Sequence, residues 1–361
     1  MVSAPRKGCS IGRKTDMKRY LLWGLVFASA LLMAACNGTS PKDDPENKQQ
    51  VEQKGTTGDP LSLLTDSIAQ DGNCADLYLR RAQLYLEREQ IGLAMMDVNQ
   101  AIQIDPKNVD ALLILADLYY MLGDETNITA TLNKALEVAP NDTRAMVKLA
   151  ELNLLKQNYN LTFGYIDNAL KVNTYNPRAY FVRGMAYMAR QDTVSAMKNF
   201  MIAREQDVTF YDPQREICAI YWAQHNPLTE SFMRSMMVNF PDQPMVRYDL
   251  ALFLQDNGKP EEALSHYDTL LMLQPGNSRL LFNKGYVYFV YLGDNEQALN
   301  YFNQSLQSDP NYVDALYNKG HVYEQMGDYV QAKSIYSQIL NDYPNYQLAV
   351  EGMNRVSNQA Q

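Results

Sequence analysis

The chain has 361 residues, 46% of them hydrophobic and 20% charged, with a formal charge of −9. This is the composition of an ordinary folded protein, with no collagen-like or wholly disordered bias. Residues 1–35 hold six basic side chains and one acidic one, so without them the formal charge falls to −14; an acidic body with no basic stripe excludes a phosphate backbone as the main partner.

The first element is an address. Lys18-Arg19 precedes an apolar run from Tyr20 to Ala35, and Cys36 follows. A basic start, an apolar stretch and small residues before a cleavage point make residues 1–35 a signal peptide with a basic leader. The run is shorter than the ~20 residues a membrane-crossing helix needs. Met17 is the better start, and residues 1–16 are either a misassigned start or a long leader. Leu32-Met33-Ala34-Ala35-Cys36 resembles the lipobox of bacterial lipoproteins. That resemblance implies a lipid on Cys36 and membrane attachment through it. Asn37 after the Cys fits outer-membrane sorting, and Lys42-Asp43-Asp44 is similar to the export tag of some surface lipoproteins. A periplasmic and a cell-surface face both stay open.

Residues 36–59 come next, with Val51 as the one aliphatic side chain after Cys36 and a composition rich in Lys, Asp, Glu, Gln, Gly and Pro. Such a segment buries too little apolar surface to offset its ordering entropy. It is expected to be a disordered, lipidated tether with a reach of roughly 25–30 Å. Residues 60–74 are expected to hold a capping helix.

From residue 75 the sequence repeats. Pro106 and Pro140, Pro241 and Pro275, and Pro310 and Pro344 are each 34 residues apart. Pro140 to Pro241 is one residue short of three such periods, and Pro275 to Pro310 is one residue over. Units numbered with this Pro at position 32 begin at Ala75, Val109, Thr143, Pro177, about Tyr211, Pro244, Ser278 and Val313. Position 8 is small in each: Ala82, Ala116, Ala150, Gly184, Cys218, Ala251, Gly285 and Gly320. Ala recurs at position 20, small residues recur at position 27, and bulky ones such as Phe200, Tyr267, Phe302 and Tyr336 stand at position 24. Two antiparallel helices explain the pattern: small residues let backbones approach, and large ones fill the gaps that remain. Gly123-Asp124, Asn257-Gly258, Gly293-Asp294 and Gly327-Asp328 stand where the first helix stops and turns.

This pattern resembles the tetratricopeptide repeat. The resemblance covers residues 75–346 and implies an all-α fold, a right-handed superhelical solenoid of antiparallel helix pairs with about eight repeats. Residues 347–361 would supply a C-terminal capping helix and tail, because solenoid ends need cover. Repeat 5 is one residue short, and Glu230 falls where a small residue is expected.

No catalytic centre, cofactor site or metal site is legible. His225, His266 and His321 lie in different repeats without metal-like spacing, and there is no phosphate-cradling loop, HExxH or nucleophile elbow. Cys74 and Cys218 are about four repeats apart, too far for a disulfide in a linear stack.

Positions 5, 9 and 12 of the first helix form a second stripe at helical spacing. In the family it resembles, this stripe lines a concave groove. It is mixed in repeats 1–3, with Asp117 and Glu151 among Leu79, Leu113 and Val147. In repeats 4–8 it is apolar and aromatic: Phe181, Met185, Met188, Trp222, Tyr248, Leu252, Phe282, Tyr286, Phe289 and Tyr317, with His321 as a polar step. Met and aromatic side chains suit an adaptable peptide- or helix-binding surface. The competing reading is that these positions simply pack between neighbouring repeats. The expected function is a lipid-anchored scaffold for protein–protein interaction in a bacterial cell-envelope complex. The alternatives are a chaperone-like receptor for extended peptides and a glycan-capture surface lipoprotein.

Overall fold

The computed structural model describes residues 59–359. The expected signal segment, Cys36 and the tether up to residue 58 lie outside the described residues. Among the described residues there are eighteen α-helices and no strand, which is the all-α class expected. They fall into two compact units that divide between Pro213 and Gln214.

In the first unit α1 (Pro60–Gln70) packs on α2 (Ala75–Glu87). Hairpins follow as α2 with α3 (Ile91–Ile104), α4 (Val109–Leu122) with α5 (Glu125–Val138), α6 (Thr143–Leu155) with α7 (Tyr159–Val172), and α8 (Pro177–Ala189) with α9 (Thr193–Gln206). The division falls inside α10 (Tyr211–Ala223). The second unit continues with α11 (Thr229–Asn239). Then come α12 (Pro244–Asp256) with α13 (Pro260–Leu273), α14 (Ser278–Tyr286) with α15 (Asn295–Ser308), and α16 (Val313–Gln325) with α17 (Tyr329–Asp342). Helix α18 (Gln347–Gln359) covers α17.

One backbone feature marks every hairpin. A residue one or two places past the end of each first helix (Leu292 where π-helical turns extend it) has a positive φ: Glu89, Gly123, Gln157, Gln191, His225, Gly258, Gly293 and Gly327. A left-handed residue closes the helix by turning the chain back onto its last carbonyls. In four hairpins an Asp follows and caps the second helix, as Asp124 does by accepting from the Asn127 N–H.

The spacing of these residues is 34 throughout, except 33 from His225 to Gly258 and 35 from Gly258 to Gly293. The irregularities are thereby located. Thr229 is fully buried four residues after His225, whereas Ala94, Ile128, Thr162, Ala196, Ala263, Ala298 and Ala332 are buried five residues after their own turn. The missing residue therefore belongs to the α10–α11 turn. Thr229, not Glu230, takes the close-packing place that the sequence assigned to Glu230; Glu230 instead pairs with Arg234 and Lys259. The extra residue lies between Tyr288 and Gly293. There α14 continues as π-helical turns over Val287–Leu292. The Asp294 N–H reaches back to the Tyr288 carbonyl, while Asp124 and Asp328 reach Tyr119 and Tyr323, one residue nearer in sequence.

Core packing follows the small and large positions. Ala94, Ala196, Ala263, Ala298 and Ala332 are fully buried, as are Ala101, Ala135, Ala169, Ala203 and Ser305. Phe200, Tyr267, Phe302 and Tyr336 rank among the largest fully buried side chains. Fully burying one such ring contributes about 1.5–3 kcal/mol. The rings fit because the facing residue is small: Phe200 lies on Gly184, Phe302 on Gly285, and Tyr336 between Gly320 and Gly352.

Candidate protein-binding site

The stripe at positions 5, 9 and 12 behaves differently in the two units. In the first unit Leu79, Leu113 and Val147 are buried, and Phe181 is 1% exposed. The Phe181 ring packs on Phe200 and Phe210 at centroid distances of 5.8 and 5.3 Å. Phe181 is therefore a core residue, which corrects its assignment to a binding surface: the packing reading holds there because the next helix covers position 5. Met185 and Met188 on α8 are half-buried.

Charged pairs lie on the same face. Lys148 Nζ donates to Asp117 Oδ1 at 2.5 Å, and Arg178 Nε donates to Glu151 Oε1 at 2.5 Å. The Arg178 guanidinium also lies over the Phe181 ring, 5.5 Å from its centroid, and 3.7 Å from Asp212. Burial pushes the Asp117 carboxyl above its ordinary range, with Lys148 opposing. Asp117 and Glu151 on this face thus each meet a basic partner within the fold.

In the second unit the stripe stays half-exposed. Trp222, Tyr248, Leu252, Phe282, Tyr286, Phe289, Tyr317 and His321 are all half-buried. Ring contacts join several of them in two sets, and Phe282 and Phe289 pack on the same core cluster around Phe302 and Val322. Phe282 touches Tyr286, Phe302 and Tyr312 at centroid distances of 6.1, 5.7 and 5.2 Å. Phe289 meets His321 edge-on at 5.2 Å, and His321 meets Tyr317 at 5.9 Å. Burial lowers the His321 imidazole, with Glu324 opposing. Asn283 Nδ2 donates to Tyr248 Oη at 3.1 Å, joining α14 to α12. Trp222 packs on Phe253, 5.8 Å away. The structure thus brings together Phe282, Tyr286, Phe289, Tyr317 and His321.

Three residues that the stripe pattern did not single out belong to this face. Asp249 and Asp256 share a face of α12 with Leu252 at helical spacing. Burial pushes the Asp249 carboxyl up to about 6, with Arg215 opposing. Tyr291, on the π-helical turns, is 36% exposed; its hydroxyl donates to Asp256 Oδ1 at 2.6 Å, and its ring meets Tyr286 at 6.2 Å. The extra residue of repeat 7 was the available signal for Tyr291.

The remaining chemistry-bearing side chains have structural places. His225 is an exposed turn residue, and His266 Nδ1 lies 3.3 Å from Arg247. Cys218 is buried, with its thiol pushed up to about 12, mainly by desolvation. Among the described residues no group of three or more His, Cys, Asp or Glu could hold a metal ion.

Four family models described as tetratricopeptide repeat match this chain, over residues 75–108, 110–142, 248–290 and 289–351. Comparison with curated proteins finds no match. Among solved structures, the C-terminal part of a TPR repeat-containing protein from Cytophaga hutchinsonii aligns with a TM-score of 0.56 at 18% identity, over 67% of this chain and 99% of that one. A chain of the APC/C hetero-tetramer Cut9-Hcn1 aligns with a TM-score of 0.52 at 16% identity, over 82% of this chain; the alignment spans 58% of that chain. At these identities the likeness is one of fold.

Proposed function

We propose that this chain, built of tetratricopeptide repeats, is a lipid-anchored scaffold that holds a segment of a protein partner on the half-exposed aromatic face of repeats 6–8, within a bacterial cell-envelope complex. The observation that carries the reading is the contrast between the two units. In the first unit position 5 is buried in every repeat, at Leu79, Leu113, Val147 and Phe181, while Met185 and Met188 at positions 9 and 12 are half-buried. In the second, Leu252, Phe282, Tyr286, Phe289 and Tyr317 keep part of their apolar surface in contact with water. Aromatic side chains that stay partly in water on one face gain free energy when a partner covers them, and such groups mark interaction surfaces.

Attachment to the membrane rests on the basic and apolar residues before Cys36 and on the Leu-Met-Ala-Ala-Cys sequence. No helix among the described residues is long and apolar enough to cross a membrane. An acyl chain on Cys36 would hold the repeats at an outer-membrane face through the tether.

Capture from native membranes with wild type and with a Leu252→Asp/Tyr286→Asp variant tests the reading. These two side chains are half-buried, and neither is packed on Phe302, so the fold should survive; a helical CD melt checks this. One stoichiometric partner lost in the variant supports the scaffold. Partners retained by a folded variant contradict the proposed face. Fatty-acid labelling that persists in Cys36→Ser would contradict the anchor.

A further inference from the structure

The face of repeats 6 and 7 has a chemistry more specific than apolar. Asp249 and Asp256 stand two turns apart on α12, about 10.5 Å along its axis. The Arg215 charge bears on Asp249, and Asp256 accepts from the Tyr291 hydroxyl. The Tyr291 and Tyr286 rings stand at 69° to each other, forming two walls beside Asp256. A carboxylate that accepts a phenol hydrogen bond raises the electron density of that ring, which strengthens its attraction for a cation. Tyr291 reaches Asp256 from the π-helical turns where the repeat carries its one extra residue. Such turns are rare and concentrate at functional sites.

Resting on the binding face proposed above, we infer that its occupant is a basic segment, one that sets a Lys or Arg side chain between Tyr286, Tyr291 and Asp256 and lays apolar side chains along Leu252 and Phe282. Asp249 offers a second carboxylate to the same segment. Two carboxylates along one helix face attract a cationic side chain laid beside them. The acidic charge of the whole chain outside residues 1–35 steers the same kind of partner.

An array of random dodecapeptides, probed with the purified chain, tests this directly. Three further chains are run beside it: Asp249→Asn/Asp256→Asn, Tyr291→Phe, and Leu252→Asp/Tyr286→Asp. The expected binders carry Lys or Arg beside aromatic or aliphatic residues. Replacing the basic residue by norleucine weakens them about tenfold, the size of one cation–π contact with a carboxylate. In the double-Asn chain the preference for basic residues disappears while the apolar preference remains. In Tyr291→Phe, which keeps the ring and loses the bond to Asp256, the preference weakens. Binders lost in Leu252→Asp/Tyr286→Asp but showing no basic preference overturn the inference and leave the binding face standing. Binders indifferent to that variant, or no binders at all, overturn both.

Discussion

The Phe200 ring lies so close to Gly184 that a Cβ on the glycine would stand 2.5 Å from its Cε1 atom. The contact explains the alternation of small and large residues at positions 8 and 24. It predicts that Gly184→Ala destabilises the chain by about 1–3 kcal/mol through overpacking, despite the better helix propensity of Ala. Gly164, in the middle of α7, has nothing within 4 Å of its Cβ position. Gly164→Ala should stabilise by roughly 0.5–1 kcal/mol. Urea denaturation of both variants checks the pair, and equal effects would remove the packing account.

Gln157 and Gln191, two residues past the ends of their helices, have φ of 61° and 64°. An L side chain is strained there and glycine is not. Gln191→Gly should therefore leave stability unchanged or raise it by up to ~1 kcal/mol. The same substitution at Met188, inside α8, should destabilise by roughly the same amount or more. Thermal melts of the two variants compare them.

Asp249 predicts a pH dependence of definite sign. Its native carboxyl sits at about 6 against an ordinary 3.8, because burial disfavours the charged form. Between those two values the native state binds more protons than the unfolded state, so this group adds stability as pH falls from 6 toward 4 and withdraws it as pH rises. Asp249→Asn should raise stability at pH 7.5 by on the order of 1–3 kcal/mol and have little effect near pH 4. Denaturation midpoints across that range measure the difference; a stabilisation independent of pH would contradict it.

Much of this was legible in the sequence because close packing leaves a period. Small residues at positions 8, 20 and 27 and rings at position 24 are required wherever two helices meet at short distance, so they recur regardless of what the surface does. The one-residue departures were visible as spacings of 101 and 35 between prolines. Where the chain absorbs them was not: an added residue can lengthen a loop or widen a helix, and only the backbone shows that it widened α14. The binding stripe was the least legible part. A Phe at position 5 reads the same whether the next repeat covers it, as with Phe181, or leaves it half-open, as with Phe282. Tyr291 and Asp256 lie 35 residues apart on different repeats, and no periodic rule pairs them.

Deleting Val290 separates the two roles of the π-helical turns. The deletion restores a 34-residue spacing from Gly258 to the turn glycine, so helical content and thermal midpoint should be retained or improved. It should also rotate Tyr291 away from Asp256 and remove the preference for basic peptides. Far-UV CD and the peptide array read the two effects, and a deletion variant that keeps the preference would disconnect the turns from recognition.

The most direct measurement is site-specific photocrosslinking in cells, with a photoreactive phenylalanine in place of Tyr286 or, separately, of Met272, which is 80% exposed near the end of α13. The account predicts one discrete protein adduct from position 286 and none from position 272. Adducts from position 272 alone, or none from position 286 while the tagged chain still co-purifies with its partner, would contradict it.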